Sequence, residues 1–183
     1  TTTDNSGLSD SNLYLVDSKT FVWELKKTIS GNMGGVVVNA SNSNQIAFYT
    51  EATSNSDSGV FVSKDGGKTW DEAKIDGSQY SAIAIGSQNT STLYVAGRHF
   101  PNGEDCEDEE DEDDCTPEKN SAIFISNDFG TSWIKSSSIP KGVFKEIELE
   151  EGQELEEEDI DKVRVLYVSP SDDDHIFVGT SNL

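Results

Sequence analysis

Two eight-residue stretches hold the side chains best spaced to act together. Ser63-Lys64-Asp65-Gly66-Gly67-Lys68-Thr69-Trp70 returns as Ser126-Asn127-Asp128-Phe129-Gly130-Thr131-Ser132-Trp133, so the shared frame is Ser-x-Asp-x-Gly-x-Thr/Ser-Trp. Its chemistry suits a chain reversal. An Asp side chain accepts backbone N–H bonds from the residues just after it, and a Gly supplies a φ > 0 position. The hydroxyl residue closes the loop, and the Trp opens the next strand with its ring over the turn. Each copy follows an apolar run, Gly59-Val60-Phe61-Val62 or Ala122-Ile123-Phe124-Ile125, which places the frame at a hairpin corner.

The remaining reactive groups are concentrated in two acidic segments. Residues Glu104 to Asp114 hold 10 acids and Glu146 to Asp161 hold another 10, with no Lys or Arg in either. Of the 35 acids this leaves 15 against 13 bases, so the body is nearly neutral although the chain carries −22. Without a basic stripe to neutralise phosphates, nucleic acid is not an expected partner. Cys106 and Cys115, the only cysteines, bracket eight consecutive acids. Their spacing fits neither a zinc site nor a Cys-x-x-Cys redox motif. A disulfide closing the acidic loop is the preferred reading, and it implies an oxidising compartment. Eight adjacent carboxylates also raise the question of calcium. The run lacks the alternating Asp spacing and turn Gly of an EF-hand loop, so a solvated acidic loop without a cofactor is expected. His99 and Phe100 at its base read as ordinary loop packing. The sequons Asn39-Ala40-Ser41 and Asn89-Thr90-Ser91 offer two glycosylation sites for a secreted, cell-surface or lumenal chain.

The repeated corner resembles the Asp-box, or BNR repeat, of sialidases, family 74 xyloglucanases, sortilin-type receptors and related β-propellers. The resemblance implies an all-β fold of four-stranded antiparallel blades, in which the box is structural and lies away from any active site. A sialidase would need a cluster of three arginines and an Arg-Ile-Pro-type motif. This chain has two arginines, Arg98 and Arg164, and no such motif. The runs Ser91-Thr92-Leu93-Tyr94-Val95-Ala96-Gly97 and Ser169-Pro170-Ser171-Asp172 look like strand repeats of the xyloglucanase family, whose enzymes use two carboxylates across a cleft. Asp57 and Glu51 are the cleft candidates on that analogy, although a solvated loop acid is the plainer reading of each. Sortilin-type propellers hold peptides within the ring, but their boxes often end in Phe, and their cysteine-rich module is absent here.

The strands that must position the boxes recur with a period. Val36-Val37-Val38-Asn39 leads to Gln45-Ile46-Ala47-Phe48, Ala82-Ile83-Ala84-Ile85 to Thr92-Leu93-Tyr94-Val95, and Val163-Arg164-Val165-Leu166 to His175-Ile176-Phe177-Val178. Between them lie three similar turns, 41–44, 87–90 and 169–172. Val16 to Trp23, aligned on its Trp, looks like a decayed box with Ser18 and Thr20 in place of Asp and Gly. The three Trp residues are spaced by 47 and 63, and an insertion of 16 residues accounts for the difference. The expected divisions are a half blade 12–30, a blade 34–76, a blade 81–139 with an acidic insertion 98–119, and a half blade 163–183 after a second insertion 145–162. Lys26 to Gly35 and Asp71 to Tyr80 are expected to connect one unit to the next. The chain therefore reads as a segment of a larger propeller, any leader having been removed or lying outside it. No apolar stretch is long enough for a membrane-spanning helix. The function expected is a non-catalytic module that binds or assembles with other chains, further blades or glycans. The alternatives are part of a glycoside hydrolase acting on polysaccharide and a sortilin-like peptide-binding propeller.

Overall fold

A computed structural model describes residues 10–51, 58–75, 78–99, 120–136 and 162–181. Cys106, Cys115, Asp57, Phe100 and both acidic runs lie outside the described residues. What is described is all-β. The strands are β1 (Asp10–Val16), β2 (Trp23–Ser30), β3 (Asn32–Val38), β4 (Ile46–Glu51), β5 (Val60–Ser63), β6 (Asp71–Glu72), β7 (Ser78–Ile85), β8 (Leu93–His99), β9 (Asn120–Ser126), β10 (Ile134–Lys135), β11 (Lys162–Ser169) and β12 (Asp172–Ser181). They form four antiparallel sheets: the hairpin β1-β2, the four-stranded sheets β3-β4-β5-β6 and β7-β8-β9-β10, and the hairpin β11-β12.

Burial explains why these runs are strands. In β4, Ala47, Phe48 and Tyr49 are buried in succession, as are Leu93 to Ala96 in β8. A half-buried strand would alternate; continuous burial means that both faces are covered. The cover comes from the neighbouring sheets. Tyr49 and Val60 of the first four-stranded sheet meet Tyr80, Val95 and Phe124 of the second. Ala82, Ala84 and Tyr94 of the second meet Val163, Leu166 and Val168 of β11. Cross-strand pairing adds to this, with Phe48 opposite Phe61 at a stacked ring distance of 5.0 Å.

Three expectations about connections are corrected. Lys26 to Gly35 is not a loop: β2 runs to Ser30, β3 begins at Asn32, and Gly31 alone, at φ 106°, turns the chain between sheets. That φ needs a residue without a Cβ. The second connection shrinks from Asp71–Tyr80 to residues 73–77, and the strand after each box, β6 or β10, has only two residues. The third turn also departs from the other two. Ser169 pairs directly with Asp172, so Pro170 and Ser171 form a tight reversal, whereas the turns at 39–45 and 86–92 each close a wider loop.

Candidate functional site

In each box the hydroxyl at the first position and the carboxylate at the third are joined. Ser63 Oγ donates to Asp65 Oδ1 at 2.9 Å, and Ser126 Oγ donates to Asp128 Oδ1 at 2.8 Å. The same oxygens receive the backbone: Gly67 N–H reaches Ser63 Oγ at 2.8 Å, and Gly130 N–H reaches Ser126 Oγ at 2.7 Å. Asp65 Oδ1 accepts the N–H groups of Lys68 and Thr69 at 3.0 and 2.9 Å, and Oδ2 the Thr69 hydroxyl at 2.7 Å. Asp128 repeats the pattern with Thr131 N–H, Ser132 N–H and the Ser132 hydroxyl. The Trp ring N–H then closes the corner on a carbonyl, Gly67 O at 3.1 Å for Trp70 and Gly130 O at 3.2 Å for Trp133.

Two consecutive residues of each corner are left-handed, Gly66 and Gly67 at φ 75° and 81°, and Phe129 and Gly130 at 53° and 84°. Gly130 is held to glycine twice over, because a Cβ there would lie 2.6 Å from Val62 Cγ1 of the preceding sheet. Phe129 occupies a position that the shared frame leaves open. Its ring is 1% exposed and packs with Ala47, Val62 and Leu93 between the sheets. Sequence reasoning missed it, since Gly66 stands at the matching place in the first box.

The carboxylates are held far below the ordinary range, both to about 2. For Asp65 the Thr69 backbone N–H contributes most, and for Asp128 the Ser132 hydroxyl does. A general acid or base works best with a pKa near the operating pH. At neutral pH these groups are ionised, and their oxygens are occupied by donors of their own loop, so the corner is suited to hold a shape and poorly suited to exchange protons.

Burial within the corner falls on the hydroxyl rather than on the carboxylate. Ser63 and Ser126 are each 1% exposed, while Asp128 is exposed. Ser126→Ala or Ser63→Ala therefore leaves a buried glycine N–H without its acceptor, an expected loss of about 1–3 kcal/mol. Urea unfolding of each variant measures it; parental stability in both would mean that the Ser-to-Gly bond carries no weight.

The expected decayed box is a hairpin of different construction. Asp17 Oδ1 accepts the N–H groups of Lys19 and Thr20 at 2.8 and 2.7 Å, so Asp17, and not the position of Ser18, holds the turn. The interval from Asp to Trp is one residue longer than in the boxes. Trp23 is 66% exposed, beside Tyr14 at 5.7 Å.

Both boxes sit at the same end of the sheets as the turns joining the first and second strands, because Gly66 N–H bonds Asn44 O and Phe129 N–H bonds Ser91 O. Antiparallel order puts the far ends of β4, β8 and β10 at the opposite end. Glu51 lies there, exposed on β4, and so does His99 at the end of β8. Of the two arginines, Arg98 is buried in β8 and Arg164 is exposed on β11. Of the sequons, Asn39 is 2% exposed, its side-chain amide donating to Gln45 Oε1 at 2.5 Å and Thr90 O at 3.1 Å. That amide faces inward and is closed to a glycan in the folded chain. Asn89 is exposed.

A groove of about 360 Å³ runs along the inner strands at the box end, lined by Val37, Val38, Ile83, Ile85, Tyr167 and neighbouring residues. Its lining is mostly apolar, with Ser87 and Thr90 the polar residues. Among the described residues no group of three or more His, Cys, Asp or Glu stands close enough to hold a metal. The chain matches no known family model and no curated protein.

Proposed function

We propose that the chain is a run of Asp-box β-propeller repeats that works without catalysis of its own, assembling with strands of other chains in an oxidising, extracellular or lumenal setting. Several features support the propeller reading. The first strands of successive units are neighbours, β3 beside β7 and β7 beside β11, so each sheet faces the next. The boxes repeat at one end of the sheets, and β4, β8 and β10 end at the other.

The observation that carries the assembly reading is the state of the two hairpins. Among the described residues each is a two-stranded sheet beside four-stranded ones. Both keep large apolar side chains uncovered: Phe21 at 73% and Trp23 at 66% on the first, Phe177 at 63% and Tyr167 at 55% on the last. Unpaired strand edges beside exposed aromatic faces are templates for another chain. The fit is with strands of the same repeat type.

The test is sedimentation velocity over a range of concentrations at moderate salt, where the charge of −22 is screened. The chain is expected to self-associate as concentration rises, and Phe21→Ser with Trp23→Ser to weaken this by about tenfold or more. A monomer throughout the range, or association untouched by the double variant, would sink the reading. Hydrolysis of a polysaccharide by the same preparation would overturn its non-catalytic half.

A further inference from the structure

The two wider turns share one backbone plan and differ in what fills it. In the first, Asn39 N–H bonds Gln45 O at 3.0 Å and Gln45 N–H bonds Asn42 O at 2.9 Å. In the second, Gly86 N–H bonds Thr92 O at 2.8 Å and Thr92 N–H bonds Asn89 O at 2.9 Å. Asn39 thus corresponds to Gly86, and Ser41 and Asn42 to Gln88 and Asn89. The first turn points N–H groups inward and fills the hollow itself, with Asn39 Oδ1 accepting Ser41 N–H at 2.7 Å and Asn42 N–H at 3.1 Å. At Gly86 there is no side chain to do this.

The carboxylate of Asp173, from the next hairpin, takes the place. Its Oδ1 accepts Ser87 N–H at 2.9 Å, the Ser87 hydroxyl at 2.8 Å and Gln88 N–H at 3.0 Å. Its Oδ2 accepts Asn89 N–H at 2.6 Å and Gln88 N–H at 3.1 Å. Three successive backbone N–H groups converging on one anion form a nest, whose partial charges balance a carboxylate without a cation. Gly86 is required for the arrangement, because a Cβ there would run into the Asn89 carbonyl oxygen and stand 3.0 Å from Asp173 Oδ2. Around the carboxylate the hairpin is fastened further: the Ser87 hydroxyl lies 2.5 Å from Ser169 O, Gln88 Nε2 donates to Ser171 O, and the Tyr94 hydroxyl lies 3.3 Å from Asp173 O.

We propose that the Ser87–Asn89 turn is a carboxylate-binding socket, that Asp173 is its resident ligand, and that this contact holds the β11-β12 hairpin on the β7–β10 sheet. The choice between Asn and Gly at the first position of the turn then decides docking. A turn beginning with Asn39 is sealed by its own side chain, whereas one beginning with Gly86 is open to an acidic residue from a neighbouring unit. An emptied socket takes a free carboxylate.

The experiment uses the full chain and its Asp173→Ala variant, with amide exchange and ¹⁵N-resolved spectra as readouts and acetate as the probe. In the variant, the amides of β11 and β12 are expected to exchange roughly tenfold faster or more, while those of β8 and β9 keep parental protection. Acetate, added against chloride at constant ionic strength, is expected to shift the Ser87, Gln88 and Asn89 amide signals of the variant saturably and to leave the parent's unmoved. Parental protection of the hairpin in the variant would overturn the docking role, and amides indifferent to acetate would overturn the socket. Should Asp173→Ala not fold, Asp173→Asn keeps one acceptor oxygen without the charge and is judged by the same two readouts. Asp173→Glu, which retains the carboxylate on a longer arm, is expected to recover part of the protection; a Glu variant no better than the Ala variant would count against carboxylate recognition.

Discussion

Phe129→Ala is expected to lower the unfolding free energy by about 3–5 kcal/mol, a large share of the 5–15 kcal/mol that holds a domain of this kind together. The ring is 1% exposed and fills the space between Ala47, Val62 and Leu93, which come from three different strands of two sheets. Those strands are fixed by their own hydrogen-bonded neighbours, so the cavity cannot collapse fully, and the cost includes the void as well as the lost transfer energy. Phe129 also sits at φ 53°, where an L-residue is strained by about 1–2 kcal/mol. Alanine keeps that strain, because its Cβ remains. Phe129→Gly removes it but leaves the same cavity, so the Gly variant is expected to be the less damaged of the two. Chemical denaturation of both variants decides the matter. A loss below about 1 kcal/mol for Phe129→Ala would show that the ring does not cement the sheets.

Acid is expected to destabilise the fold in a defined window. Asp65, Asp128 and Asp173 are each held at about 2 by hydrogen bonds from backbone N–H groups and hydroxyls. An unfolded Asp titrates near 3.9. A carboxylate whose folded pKa is depressed contributes stability that is fully present above the unfolded value and is lost as pH falls through the folded one. The melting temperature should therefore hold steady from neutral pH to about 4, then drop between about 4 and 2. Replacing all three with Asn should lower the plateau and flatten the drop. Ser126→Ala lowers the plateau as well and takes one donor from Asp128, so its drop should be somewhat smaller than the parent's and well above that of the triple variant. Melting curves at intervals from pH 7 to 2 separate these outcomes. A triple variant with the parent's acid profile would show that other carboxylates set the transition.

The corner was legible because its bonds are local. Asp65 reaches residues three and four ahead, Ser63 reaches Gly67, and a sequence shows such neighbours side by side. The strands were legible for a similar reason, since apolar runs separated by turn residues have few ways to bury themselves. What misled was the treatment of matching letters as matching geometry. Trp23 aligns with the box tryptophans by type, but Asp17 stands one residue further from it than the box Asp does, and the ring is exposed. Asn39 reads as a glycan acceptor by its sequon, yet its own turn and Thr90 O consume the amide.

By itself, then, the sequence determined the all-β class, the positions of the two box hairpins and the order of strands around them, because propensity, alternation and turn chemistry act over a few residues. Only the tertiary structure decided that Phe129 would be a core residue, that Gly31 alone would turn one sheet into the next, and that Asp173 would fill a nest 84 residues away at Asn89. Those outcomes depend on which faces of separate sheets meet, and a partner so distant in the chain leaves no local pattern to read.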